Sequence, residues 1–283
     1  MPTFPTPTPV TLVVDVSVVD LRVRAEDVTE TTVEVRPHSP SRQGDVDLAA
    51  RIAVEHSGDR VSVRGPRTVS GRLRSLLGGG DRVDVEVVVP DGSALDVRGT
   101  GELVATGELG AVAIDTAMGD ISLDRVARVT ARTALGDIRL ERVAGDADLR
   151  TSTGTVTVHE AGGEVLAKAA VGDVSVGDGG GHLRLTTSTG NVRVEHARDG
   201  LTANASAGDV RVHSAHGGAV SVDSSFGRVD VGVPHGVAAW LDVEARHGEV
   251  RSELSTGEAP AAGDPTVEIR VRAGFGDIVL HRV

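Results

Sequence analysis

The sequence predicts an all-β fold, a single-stranded parallel β-helix (β-solenoid) with about 18 residues per coil. Three observations carry this. A glycine-led module recurs at Gly101, Gly119, Gly136, Gly154, Gly172, Gly190, Gly208 and Gly227, in steps of 17 to 19 residues. Val and Thr dominate these modules, and no apolar stripe of helical period persists through them. Aromatic residues are scarce (Phe 3, Trp 1, Tyr 0) while glycine numbers 36, so the interior must be thin and aliphatic. A propeller blade needs roughly 40 residues per repeat, too many for this period.

Residues 1–10, MPTFPTPTPV, carry prolines at positions 2, 5, 7 and 9 and read as an extended tail. Residues 11–98 are β-rich but less periodic. Alternating pairs and runs such as Val14, Val16 and Val18, Val33 and Val35, Val46 and Leu48, Val61 and Val63, and Val83 to Val89 read as strands. Pro90-Asp91-Gly92 is a turn. A solenoid needs a cap over its first coil, and this region is expected to start the solenoid or to cap it. Residues 65–80 (GPRTVSGRLRSLLGGG) interrupt the strands as a loop insertion. Arg72, Leu73, Arg74, Leu76 and Leu77 within it are candidate partner-docking residues.

Residues 99–283 form the regular solenoid, with irregular coils at the C-terminal end. The second and fourth residues after each module glycine are apolar, as in Ile121 and Leu123, Val174 and Val176, and Val210 and Val212. That alternation predicts a strand with one buried face. A second run in each module, such as Val165, Ala167, Ala169 and Val171 or Val220, Val222, Ser224 and Phe226, is assigned inward on the same ground. Stacking coils then aligns Thr133, Thr151, Ala169, Thr187, Ala205 and Ser224 in one inward column of small residues. The module glycines mark turns of positive φ or close backbone approach. Further on, Val237, Ala239, Leu241 and Val243 share the inward face, and Trp240 points outward, expected to pack under residues 254–265. Trp240 is the second candidate partner site. The closing coil, Phe275 to Leu280, is expected to present an open edge suited to end-to-end pairing.

The repeated Gly-Asp-Val/Ile units (Gly119-Asp120-Ile121, Gly136-Asp137-Ile138, Gly172-Asp173-Val174, Gly208-Asp209-Val210) stand with the Val89-Pro90-Asp91-Gly92-Ser93 turn, the Gly236 to Val243 stretch and the closing Gly276-Asp277-Ile278. Together they resemble the DUF4097 family of bacterial β-helix repeat proteins, which carries an adhesin label, in its actinobacterial form. The resemblance covers most of the chain. It implies a right-handed β-helix without enzymatic activity, and a sensing or docking role linked to envelope-stress systems.

The remaining composition narrows the function. Without cysteine, the chain has neither disulfides nor thiolate metal sites. A net charge of -12 disfavours nucleic acid, whose binding rests on cationic contacts to phosphate. No apolar run approaches the roughly 20 residues of a membrane helix, so direct membrane insertion is not expected. The opening residues lack a basic region and an apolar region, which predicts a cytoplasmic protein.

The aspartates that follow the module glycines could form a calcium ladder. Thr155, Asn191, Arg228 and Glu249 break the column, and aspartates bonding their own turn backbone are the preferred reading. His213 and His216 form a pair without a third ligand. Sugar-active β-helices need aromatic platforms and paired acid/base groups, and one Trp with no Tyr argues against them. The sequence thus predicts no catalytic residue, no cofactor and no metal. It predicts a non-catalytic scaffold or protein-interaction platform with a protein partner, either monomeric or a homodimer through the solenoid ends. A self-assembling structural protein and a glycan-active enzyme are the rival classes.

Overall fold

The computed structural model describes residues 2–66, 81–254 and 265–283. The fold is a parallel β-helix, and the chain divides into two compact units, Met1–Arg139 and Leu140–Val283. Among the described residues no helix is long and apolar enough to cross a membrane.

The first unit runs β1 (Thr3–Pro5), β2 (Thr11–Val16), β3 (Val19–Glu26), β4 (Glu30–Pro37), α1 (Gln43–Arg51), β5 (Ala53–Ser57), β6 (Arg60–Arg64), β7 (Val83–Pro90), β8 (Ala94–Gly99), β9 (Leu103–Met118) and β10 (Ile121–Leu135). Its coils do not stack in chain order. Parallel β2 lies between β6 and β8, and parallel β3 lies between β7 and β9. The first coil is therefore threaded between two later ones. The outer edge of β7 pairs antiparallel with β4, and that of β6 pairs antiparallel with β5. Strand β1 then pairs antiparallel with β4. These antiparallel strands end the parallel stack.

Val46 and Leu48 do not lie in a strand. They belong to α1, whose second half, Leu48-Ala49-Ala50-Arg51, favours helix. Asp45 in its first turn is fully buried and anchors the helix. One oxygen accepts the Arg82 backbone N–H at 2.9 Å and the other accepts that of Ser39 at 3.1 Å.

The second unit is more regular. It contains β12 (Ala147–Thr153), β13 (Val156–Ala161), β14 (Val165–Val171), β15 (Val174–Gly179), β16 (Leu183–Thr189), β17 (Val192–Ala197), β18 (Leu201–Ala207) and β19 (Val210–Ala215). It continues through β20 (Gly218–Phe226), β21 (Val229–Val233), β22 (Ala238–His247), β23 (Val250–Ser252), β24 (Thr266–Phe275) and β25 (Ile278–Arg282). The short β11 (Ile138–Val143) spans the division between the units. Each coil is two strands joined at a module glycine, and each strand pairs in parallel with the strand one coil away. Val174 meets Val192, which meets Val210, which meets Val229, and each of these is fully buried. Thr151, Ala169, Thr187, Ala205 and Ser224 align in one column, in the order the sequence predicts.

The module glycines are required on two counts. At Gly208 φ is +146, a conformation that L side chains rarely adopt, and a Cβ there would collide with the carbonyl oxygen of Gly190 one coil away.

The stacking order changes at the C-terminal end. Strand β20 pairs with β24 and β24 with β22, while β21 pairs with β25 and β25 with β23. The coil made last in the chain is thus an inner coil, and the coil of residues 238–252 is outermost. This corrects the expectation that Phe275 to Leu280 form the open edge. The reason lies in side-chain character. The 238–252 coil places Ala239 and Ser252 at the register positions where the 266–282 coil places the fully buried Val267 and Leu280, so the later coil brings more aliphatic surface to the inner slot.

Candidate functional site

Period-two alternation fails at one place in every regular coil of the second unit. The residue just before the module glycine, read as inward from the sequence, faces solvent. Val171, Phe226 and Phe275 hold this position and are 51%, 57% and 49% exposed. The strand ends on two successive outward residues as it enters the glycine corner, so the last one joins the outer surface. In the first unit Met118 and Leu135 hold the same position and are likewise exposed.

In the second unit this column becomes aromatic. Phe226, Phe275 and His247 are register neighbours on β20, β24 and β22. The Phe226 and Phe275 rings stack with centroids 5.0 Å apart and planes inclined by 3°. His247 stacks on the other face of the series, 4.5 Å from Phe275. Beside them runs an open groove of about 650 Å³. Its second wall is the outward column Thr186, Asn204, Asp223, Arg272 and Glu244. Ser188, Ser206 and Ser225, whose short side chains leave the floor low, lie between the walls. Arg272 bridges Asp242 through Nη2, at 2.7 and 2.8 Å from the two carboxylate oxygens. Its guanidinium, joined by that of Arg270, holds the Asp242 carboxyl below the ordinary carboxylate range. The groove therefore offers one apolar aromatic wall and one polar wall that carries both charges.

The Gly-Asp aspartates have a structural task. Asp173 Oδ1 accepts the backbone N–H of Asn191 at 2.8 Å, Asn191 Oδ1 accepts that of Asp209 at 2.9 Å, and Asp209 Oδ1 accepts that of Arg228 at 2.8 Å. Asp277 does the same for Glu249, as does Asp120 for Asp137 in the first unit. These side chains clamp the neighbouring coil; the sequence reading had them bonding their own turn. An asparagine serves as well as an aspartate, so the position needs an acceptor rather than a charge.

Histidines gather at one corner of the second unit. His196 lies 6.3 Å from His213 and 5.7 Å from His216 between ring centroids. Sequence spacing linked His213 with His216 and missed His196, which stacking brings in from the previous coil. Burial, followed by the nearby His196 and Arg198, holds the His216 imidazole below its ordinary pKa. Ser214 Oγ lies 3.0 Å from His216 Nε2. This pair lacks the features of a nucleophile and base. Ser214 is 4% exposed, and Asp178 nearby is already engaged at both oxygens by Arg198.

The first unit brings together Asp20, His38 and Asp84, a group close enough to share one cation. His38 Nδ1 lies 2.9 Å from Asp84 and 3.6 Å from Asp20. Arg82 also approaches Asp20, at 3.6 Å, and supplies positive charge there itself. No spacing pattern in the sequence links these residues, since they come from three separate strands or strand ends.

Of the candidate docking residues, Arg72, Leu73, Arg74, Leu76 and Leu77 lie outside the described residues. Trp240 points outward from β22 and is 67% exposed, so the described chain does not cover it.

No curated protein matches the chain. Among solved structures it is similar to a putative adhesin from Bacteroides fragilis, with 11% identity, a TM-score of 0.42, and coverage of 100% of this chain and 95% of that one. A putative adhesin from Parabacteroides merdae is 9% identical with a TM-score of 0.34, covering 99% of this chain and 94% of that one. A putative cell adhesion protein from Clostridium sporogenes is 10% identical with a TM-score of 0.28, covering 100% and 98%. The sequence matches one family over residues 10–280, nearly its whole length, and the chain accordingly belongs to the Toastrack DUF4097 family.

Proposed function

We propose that the protein is a non-catalytic β-solenoid platform that holds a protein partner along the groove beside Phe226 and Phe275. The observation that carries this reading is the stacked, solvent-exposed pair Phe226–Phe275 forming one wall of an open groove. Exposed aromatic surface rimmed by polar groups marks association sites. The opposite wall of Asn204, Asp223 and Arg272 supplies donors, acceptors and both charges for a polar rim. Cytoplasmic residence belongs to the same proposal.

The test is affinity capture from the native host followed by mass spectrometry, comparing three baits. These are the wild type, a Phe226→Glu/Phe275→Glu variant, and an Arg211→Glu variant altered on the other ladder of the solenoid. A partner retained by the wild type and Arg211→Glu but lost by the double variant supports the proposal. Identical capture by all three baits overturns it. Turnover of a sugar polymer by the wild type would overturn the non-catalytic part.

A further inference from the structure

We infer that the outermost coil of the C-terminal unit, β22 with β23, is a self-association interface through which two copies of this chain form a closed dimer. The inference rests on the stacking order and not on the groove, with which it shares Glu244 and Arg246. It begins with the stacking order. Because β24 and β25 fill the inner slot, β22 pairs on one edge only, and no described strand pairs with its other edge. Edge strands are ordinarily blunted by proline, charged side chains or a bulge. The β22 sequence, AAWLDVEARH, has no proline, its register to β24 is unbroken from Ala238 to Ala245, and its charges, Asp242, Glu244 and Arg246, are of both signs.

The side chains of this coil carry the second part of the argument. Leu241 is in register with buried Ile269, and Val250 with buried Ile278. Both therefore stand at core positions, yet they are 43% and 47% exposed. Among the described residues they form the open end of the unit's aliphatic interior. Trp240, the one tryptophan of the chain, stands beside them.

The occupant that fits is a second copy. Along β22 the acidic residues Asp242 and Glu244 precede Arg246, so the strand is complementary to itself when turned end for end. Antiparallel pairing about a two-fold axis near Val243 or Glu244 carries Arg246 of each copy to the partner's Asp242, directly opposite or on the diagonal. With the axis at Val243 the partner's Ala245 faces Leu241 and its Val243 faces Val243; with the axis at Glu244, Leu241 faces His247 and Val243 faces Ala245. Asp242 and Glu244 are already held by Arg270 and Arg272 within the chain, which moderates repulsion between the two acidic stretches. In the first unit, β4 and β5 already occupy the outer edge of the parallel stack. A head-to-tail array would need a second open coil, whereas two-fold pairing of like edges closes on itself. Ten residues at ~3.3 Å each and a sheet spacing of ~10 Å give an end face of roughly 330 Å² per copy. The two copies together bury roughly 660 Å², below the ~1,000 Å² of a standard specific interface, so the dimer is weak and dissociation at about a hundred micromolar is expected.

The experiment is sedimentation velocity of the full chain up to about 200 μM, the range an interface of this size requires. Trp240 emission is followed over the same dilution series; the chain has no tyrosine to obscure it. The expected result is a monomer–dimer equilibrium without larger species, with a red shift of Trp240 emission on dilution. Leu241→Arg should abolish the dimer. Because Leu241 is already half exposed, the melting temperature of the monomer should stay unchanged. If Leu241→Arg does alter folding, Arg246→Glu and Trp240→Ala are decisive, each expected to weaken dimerisation at least tenfold. Phe226→Glu, away from this edge, should leave it intact. A wild type that stays monomeric throughout, growth into larger oligomers, or a dimer unaffected by Arg246→Glu and Trp240→Ala would each overturn the inference.

Discussion

Asp173 and Asn191 are joined twice: Oδ1 of Asp173 accepts both the backbone N–H of Asn191, at 2.8 Å, and its side-chain N–H, at 3.1 Å. Asn191 repeats the backbone clamp on Asp209, so one column holds two chemically different residues in the same role. Replacing Asp173 by alanine removes the acceptor and should lower stability by about 1–2 kcal/mol. Asp173→Asn keeps it and should cost less than half as much, since the Arg193 ion pair it loses is exposed. Denaturant midpoints of the two variants check the order.

The same residue sets an acid limit. Burial works to raise the Asp173 carboxyl, but the Asn191 N–H and the Arg193 guanidinium outweigh it, and the carboxyl lies below the ordinary range. A depressed carboxylate stabilises above its unfolded pKa, and that contribution disappears as pH falls through the folded value. The melting temperature of the wild type should therefore drop below about pH 4, and the drop should be shallower in Asp173→Asn. Equal slopes would remove Asp173 from the acid response.

His216 acts in a different window. Its imidazole is held below its ordinary value, mainly by burial, so the unfolded chain takes up a proton at a higher pH than the folded one. Unfolding is then favoured as pH falls below about 6.5. Between pH 7.5 and 5.5 the wild type should lose stability, and His216→Gln should lose less. Thermal melts across that range provide the check.

Glycine substitutions separate conformational strain from steric overlap. Gly58 has φ +61 with no described heavy atom within 4 Å of a Cβ, so Gly58→Ala should cost about 1 kcal/mol. Gly208→Ala adds collision with the Gly190 carbonyl and should cost about 3 kcal/mol or more. Similar melting temperatures for the two variants would contradict the stacked-corner geometry.

Val192 sits between Val174 and Val210 at 0% exposure. Val192→Asp should destabilise by about 3 kcal/mol or more, because its carboxylate would be buried without a partner. An unchanged melting temperature would exclude Val192 from the core.

The regular coils were legible because period and alternation are local properties. Val174, Val192 and Val210 occupy the same place in successive modules, and the chain stacks them directly. Three features were not legible in this way. The outward turn of Val171 and Phe226 arises at a corner, where alternation stops applying. The helix at Gln43–Arg51 is short, and Val46 and Leu48 fit a strand pattern equally well. The threading of β24 beside β20 depends on a comparison between non-adjacent coils, which no periodic pattern encodes. The Phe226–Phe275 stack follows from that threading, so the groove wall was hidden for the same reason.

The threaded coil also imposes an order of events on a chain emerging from the ribosome. Residues 238–252 are synthesised before residues 266–282, yet they stack outside them. When the exposed edge of β20 first needs a partner, the nearest strand in time is β22, whereas the correct one, β24, has yet to be made. Premature docking of β22 on β20 would have to be undone before the last coil could enter. Its poor fit becomes an asset here: with its weakly apolar face, the 238–252 coil is a weak competitor that gives way to Ile269, Val271, Ile278 and Leu280 when they arrive.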